Sequence, residues 1–147
     1  MGLYRAETYR VEDSVGWLIT RLRASIFAAV DREVAAWGVS AAQCSILLYI
    51  AAGRGDRAAD IARDYDYDTG SMTRMVARLA AKRLLRRVPD ESDRRVQRLE
   101  LTAAGRKLTE QMAAMAAKVL NQHLRGFTRS ELDQLKSLLR RMLDNRG

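Results

Sequence analysis

Apolar residues recur every three or four positions through most of this chain, the spacing of one face of an α-helix. Val15, Leu18, Ile19, Leu22, Ile26, Val30 and Val34 predict a first helix from about Asp13 or Ser14 to Trp37, closed by Gly38. Ser40-Ala41-Ala42-Gln43 has the form of a capping box, with the serine hydroxyl and the glutamine side chain each meeting an orphan backbone N–H. It opens a second helix that buries Cys44, Leu47, Leu48 and Ala51. Gly53-Arg54-Gly55-Asp56 reads as a turn, and a short third helix turns Ile61, Ala62 and Tyr65 inward. After a tight acidic connection from Asp64, Asp68 is the N-cap of a fourth helix from Thr69 to about Lys82. Tyr67 and Met72 take the positions of a hydrophobic staple across that cap. Met72, Met75, Val76 and Leu79 form the inner face; Gly70, Thr73, Arg74, Ala77, Arg78 and Ala81 form the outer one.

The period then changes to two. Leu85 to Val88 and Val96 to Leu101 read as strands, joined by the charged loop Pro89-Asp90-Glu91-Ser92-Asp93-Arg94-Arg95. Thr102 caps a fifth helix from Ala103 to about Arg125, with a narrow stripe of Leu108, Met112, Met115 and Val119, ended by Gly126. Thr128-Arg129-Ser130-Glu131 is a second capping box, before a last helix carrying Leu132, Leu135, Leu138, Leu139, Met142 and Leu143.

The fold class is therefore mostly α with a small β-hairpin wing: a winged helix-turn-helix flanked by N- and C-terminal dimerisation helices. Residues 1–38 form an N-terminal helix and arm, 39–106 the winged lobe and 107–147 the C-terminal helices, intertwined as one domain. The stripes on the first, fifth and last helices exceed what a small winged lobe can cover, which points to a homodimer. Packing of the three helices against one another within one chain is the alternative.

Charge sharpens the picture. The 147 residues contain 26 Lys plus Arg and 18 Asp plus Glu, a net charge of +8. Residues 1–53 are neutral, with five charges of each sign, whereas residues 71–98 hold nine basic groups against three acidic ones. An excess concentrated on one helix and one hairpin favours an anionic partner, nucleic acid before a membrane surface. The fourth helix fits a major groove; Thr73 can meet a base edge or a thymine methyl, and Arg74 can bind guanine with two hydrogen bonds. Gly70 and Ala77 allow close approach, and Arg94 and Arg95 at the hairpin tip suit a narrow minor groove. Arg74, Arg78 and Lys82 alone would be an ordinary solvated face. Their coincidence with a tight helix-turn-helix and a basic hairpin directly after it is the specific signal.

With one cysteine, Cys44, and one histidine, His123, an intrachain disulfide and a zinc site of four Cys/His ligands are excluded, and no metal or cofactor is expected. No apolar run approaches the roughly 18 residues of a membrane span. Met1 to Ala6 lack a signal-peptide core, and Ala6 stands where a myristoylation signal needs Ser or Thr. A soluble, reducing, cytoplasmic setting is the expectation. No nucleophile–base motif, phosphate-cradling glycine loop or paired catalytic carboxylates point to an enzyme. Asp64, Asp66 and Asp68 superficially resemble a calcium loop, but Thr69 and Met75 stand where its glycine and glutamate belong.

From Ala41 to Gly105 the chain resembles bacterial MarR-type transcriptional regulators. The most specific piece is Asp93 to Gly105, an Asp-x-Arg followed by Leu-x-Leu-Thr and a glycine three residues on. Asp68 to Leu79 is similar to that family's recognition helix, and the flanking long helices extend the likeness over nearly the whole chain. The resemblance implies a homodimer on a palindromic double-stranded DNA operator, a repressor released by a small, often aromatic and acidic effector. It places Thr69, Gly70, Ser71, Thr73 and Arg74 near bases and phosphates, and Arg94 and Arg95 at the wing tip. It gives the wing aspartate, Asp93, a basic partner, either Arg78 or Arg95. Three positions depart from the pattern: Arg83 stands where the family usually has glycine, and Tyr65 and Tyr67 replace smaller aliphatic residues.

Two triggers are open. Cys44 lies in the first turn of a capped helix, where the dipole favours thiolate, so a redox switch competes with an inert core cysteine. A small-molecule pocket between the long helices and the winged lobe would draw on Trp17, Arg21 and Cys44, with Arg21 as the carboxylate partner or an ordinary exposed arginine. A winged-helix protein-interaction module is the rival function.

Overall fold

The computed structural model describes residues 2–145. Ser14 caps α1 (Val15–Val34) by accepting a hydrogen bond from the Trp17 backbone N–H. A 3-10 turn over Ala35–Trp37 finishes the first long element, and Gly38 leaves it at φ 69°, a conformation that favours glycine. The α-helix thus stops three residues before Trp37, tightening as helix ends do.

The capping box of Ser40 and Gln43 opens α2 (Ala41–Ala51) with both reciprocal bonds formed. This helix packs against α1 on one side and α5 (Ala103–His123) on another. It is consequently buried almost all round, with Ile46 and Tyr49 as deep as Cys44 and Leu47. Ala51, expected on the buried face, is exposed, because the helix ends there at the surface. In α3 (Ala58–Tyr65), Ile61 is fully buried, while Tyr65 is 43% exposed rather than inward. Its ring packs edge-on against Tyr49 and tilts toward Tyr67, so the bulky tyrosines form an aromatic cluster at the turn.

Asp68 caps α4 (Thr69–Ala81), whose Met72, Val76 and Leu79 are buried and Met75 half-buried. The predicted outer-face residues are all exposed. Arg83 leaves the helix at φ 57°. Its N–H donates to the Ala80 carbonyl and the Leu84 N–H to the Leu79 carbonyl, the two bonds of a Schellman motif. The position the resemblance assigns to glycine does need a left-handed backbone, and here an arginine adopts it.

β1 (Leu85–Pro89) and β2 (Gln97–Leu101) pair antiparallel, with Leu85 opposite Leu101 and Arg87 opposite Leu99. Pro89 ends its strand, where the missing N–H breaks no interior ladder. The Leu99 N–H also donates to the Asp56 carbonyl, fastening the turn before α3 to the hairpin. Met112, Met115 and Val119 of α5 join Ala29 and Val34 of α1 and the buried residues of the lobe in one core. The second capping box, Thr128 with Glu131, starts α6 (Arg129–Asp144), which buries no residue in this chain. Leu138, Leu139 and Met142 on α6 and Trp17, Leu18, Ile19 and Leu22 on α1 are exposed. Among the described residues no single helix is long and apolar enough to cross a membrane.

Candidate nucleic-acid interface

The first turn of α4 is a small polar network. The Asp68 carboxylate accepts from the Ser71 N–H at 2.8 Å and from the Ser71 hydroxyl at 2.6 Å. These two bonds, the hydroxyl's first, hold the Asp68 carboxyl below the ordinary carboxylate range. Arg74 donates back to the Ser71 oxygen at 3.1 Å, so its guanidinium lies one turn toward the helix N-terminus. A Cβ on Gly70 would come within 3.3 Å of the Asp68 carboxylate and 3.4 Å of the Arg74 guanidinium. The glycine therefore makes room for this network as well as leaving the surface low. The Thr73 hydroxyl donates to the Thr69 carbonyl at 2.8 Å, which commits its proton but leaves its lone pairs and methyl group outward. Arg78 is exposed, with no ion pair among the described residues.

The wing tip is ordered by an aspartate that sequence reasoning did not single out. Asp90 is buried, and its carboxylate accepts from the Ser92 hydroxyl, the Ser92 N–H at 2.9 Å and the Asp93 N–H at 3.3 Å. Arg57, just before α3, reaches its other oxygen at 3.5 Å. Chiefly through Ser92, these contacts hold the Asp90 carboxyl down to about 2. The spacing Asp90-Glu91-Ser92 is that of a side-chain-to-backbone turn, the one local signal for it. Of the two partners considered for Asp93, Arg95 is the one in place, donating its Nε at 3.0 Å. The Arg95 side chain stays 91% exposed, and Arg94 is exposed with no ion pair among the described residues. Arg87 on β1 is another exposed basic group outside the predicted set. Arg86 and Glu100 pair across the hairpin at 2.7 Å, and Arg98 pairs with Asp56.

The three turn carboxylates each have a separate task. Asp64 accepts from the buried Tyr49 hydroxyl at 2.6 Å, Asp66 closes α3 in the left-handed region at φ 55°, and Asp68 caps α4. The Tyr49 hydroxyl is the main cause that holds the Asp64 carboxyl below the ordinary carboxylate range.

A second feature lies on the opposite side of α2. A cavity of about 160 Å³ between α1, α2 and α5 is walled by apolar groups including Phe27, Val30, Leu48 and Met115, with Cys44 and Ser45 among them. Trp17 and Arg21 do not line it. Arg21 instead lies over the Trp17 ring, 5.7 Å from its centroid, farther along α1. Arg23 lies 4.2 Å over the ring of Phe27, which does line the cavity. Burial, and then the Asp31 carboxylate, push the Cys44 thiol up to about 11, outweighing the lowering effect of a backbone hydrogen bond. His123 joins α5 to α1: Nδ1 faces the Val119 carbonyl at 2.8 Å and Nε2 the Ser25 hydroxyl at 3.0 Å.

The sequence model of the MarR family matches residues 37–96. The multiple antibiotic resistance protein MarR of Escherichia coli (strain K12) is 29% identical over 106 residues, covering 71% of this chain and 74% of that protein. Bordetella bronchiseptica BpsR, whose DNA binding is regulated by 6-hydroxynicotinic acid, superposes with TM-score 0.80 at 26% identity, over 92% of this chain and 97% of that one. The S. aureus MepR–DNA complex superposes with TM-score 0.78 at 21% identity, over 92% and 99% of the two chains.

Proposed function

We propose that this chain is a transcriptional regulator of the MarR type, to which its sequence is similar, and that it acts as a homodimeric repressor that binds a palindromic double-stranded DNA operator and leaves it when a small effector binds. The observation that carries the reading is the outer face of α4. Gly70, Thr73, Arg74, Ala77 and Arg78 are all exposed beside a wing that projects Arg94 and Arg95. Thr69, Gly70 and Ser71 bring the positive end of α4 to a phosphate. Thr73 and Arg74 read base edges, and Arg78 and the wing arginines hold the backbone and minor groove. The exposed apolar residues on α1 and α6 supply the dimer contact, and two-fold symmetry then presents two recognition helices to half-sites about one DNA turn apart. Such a protein works in the cytoplasm, where the chromosome is.

The effector reading rests on the cavity between α1, α2 and α5. Its volume suits the body of a small aromatic molecule, and Arg23 stacked on Phe27 offers the cation for an acidic group. An aromatic acid is in keeping with BpsR, whose DNA binding is regulated by 6-hydroxynicotinic acid. Cys44 becomes a wall of the site, and Trp17 and Arg21 are available only to a ligand that extends past the cavity mouth. The redox alternative loses support from the neutral, buried thiol.

The test is fluorescence-anisotropy titration against the duplex upstream of the protein's own gene, with a scrambled duplex as control, over a range of salt. Selective binding with a slope of roughly six to ten phosphates supports the dimeric operator reading. Equal, weak binding to every duplex, including those from a random-pool selection, favours the protein-interaction module instead.

A further inference from the structure

We infer that Lys82 is a positioning residue that locks the recognition helix α4 to the corner between α1 and α2 and so sets the half-site spacing the dimer reads. This rests on the DNA-binding reading above. Helix α4 packs on α3 and β1, whereas α1 packs on α2 and α5. The helix that reads DNA and the helix offered for dimerisation therefore have no extensive face in common. Lys82 crosses between them. It stands at the C-terminal end of α4, and its ammonium donates to the Gly38 carbonyl, the left-handed residue that ends the first long element. It also reaches the Gln43 side-chain oxygen at 3.4 Å.

That corner is itself rigid. Gln43 is buried and its oxygen also accepts from the Ser40 N–H in the capping box. The Ala41 N–H donates to Asp31 of α1 at 2.6 Å. Asp31 thus holds the first residue of α2, and the adjoining Ser40 shares the Gln43 oxygen with Lys82. The lock sits at the C-terminal end of α4, and the base-reading Arg74 and Thr73 lie eight and nine residues toward the other end. At 1.5 Å per residue this is a lever of about 13 Å. A pivot of about 15° at Lys82 displaces them by roughly 3.4 Å, close to the rise of one base pair.

The test compares wild type with Lys82→Met, which keeps the stem but removes charge and donors, and Lys82→Arg, which keeps both. Affinity is measured for a single half-site and for palindromes at the selected spacing and at one or two base pairs more or less. In parallel, a nitroxide on Ala77→Cys, in a Cys44→Ala background, reports the distance between the two α4 helices of the dimer by electron–electron double resonance. Wild type and Lys82→Arg should prefer one spacing by ~10-fold or more, with a narrow distance distribution. Lys82→Met should hold the half-site within about two-fold, lose most of the spacing preference and broaden the distance distribution. Retained spacing preference with an unchanged distribution overturns the inference. So does an equal loss on half-site and palindrome with a shallower salt slope, which would make Lys82 a phosphate contact. If wild type selects no duplex, the DNA-binding reading fails, and the distance distribution decides the lock: unchanged width in Lys82→Met overturns it.

Discussion

Gly105 in the first turn of α5 rests directly on the Leu84 carbonyl: a Cβ there would lie inside the van der Waals envelope of that oxygen. The same carbonyl accepts from the Thr102 N–H at 3.1 Å, and the Thr102 hydroxyl donates to the Arg83 carbonyl at 2.6 Å while accepting from the Gly105 N–H at 3.0 Å. The end of α4, the start of the wing and the start of α5 therefore meet at one point. Because the clash is with backbone, it is not relieved by a side-chain rotation. Gly105→Ala should lower unfolding stability by ~1–3 kcal/mol. Urea unfolding of the purified variant checks this, and a midpoint equal to wild type would show that the two segments can move apart freely.

Arg83 offers the opposite case. Its left-handed backbone is disfavoured for any side chain by roughly 1–2 kcal/mol, partly offset in a glycine variant by the greater freedom of the unfolded chain. Arg83→Gly should raise stability by about 0.5–1 kcal/mol, and Arg83→Val should lower it. Thermal melts of both variants test the assignment; a glycine variant less stable than wild type would mean that the arginine side chain contributes more than the turn costs.

The base-reading role proposed for Arg74 and the phosphate-holding role proposed for the wing arginines separate by specificity. Arg74→Ala should relax preference at one base pair of each half-site and cost ~1–3 kcal/mol on the selected operator. Arg94→Ala with Arg95→Ala should weaken all duplexes and make the salt slope shallower. An unchanged base profile for the first variant removes Arg74 from the readers, and an unchanged salt slope for the second removes the wing from contact.

Wing order should depend on acid. The Asp90 carboxyl is held down to about 2 in the folded chain, against an ordinary value of 3.8. A depressed folded value stabilises above the unfolded one, and that contribution disappears as pH falls from near 3.8 through about 2. Asp90→Asn should be less stable than wild type at neutral pH, and its stability should fall less steeply over that acid window. Chemical unfolding at a series of pH values measures both; parallel profiles would show that Asp90 adds nothing to folding.

Cys44 should be inert. With its thiol pushed up to about 11 and its side chain buried, the folded protein holds almost no thiolate at neutral pH. Its reaction with a disulfide reagent should be at least ~100-fold slower than that of free cysteine and accelerate on unfolding. Rapid labelling of the native protein, with loss of DNA binding, would restore the redox reading.

The sequence by itself determined the elements whose determinants are local. Asp68, Thr102 and the boxes Ser40–Gln43 and Thr128–Glu131 act over three residues, so each helix start was legible from the cap and the apolar period together. The inner and outer faces of α4 followed from the same period, and the strands from alternation. Tertiary structure decided what depends on surroundings. α1 and α5 bury α2 from two sides, and Tyr65 packs on Tyr49 at the surface instead of entering the core. The choice of Arg95 over Arg78 for Asp93, the burial of Asp90 beneath Ser92 and Arg57, and the reach of Lys82 to Gly38 join residues brought together by the fold. Desolvation of Cys44 likewise reversed the acidity expected from its helix position. Caps and periodicity are short-range steric and hydrogen-bonding effects, whereas burial and charge pairing are set by which helices pack around a residue.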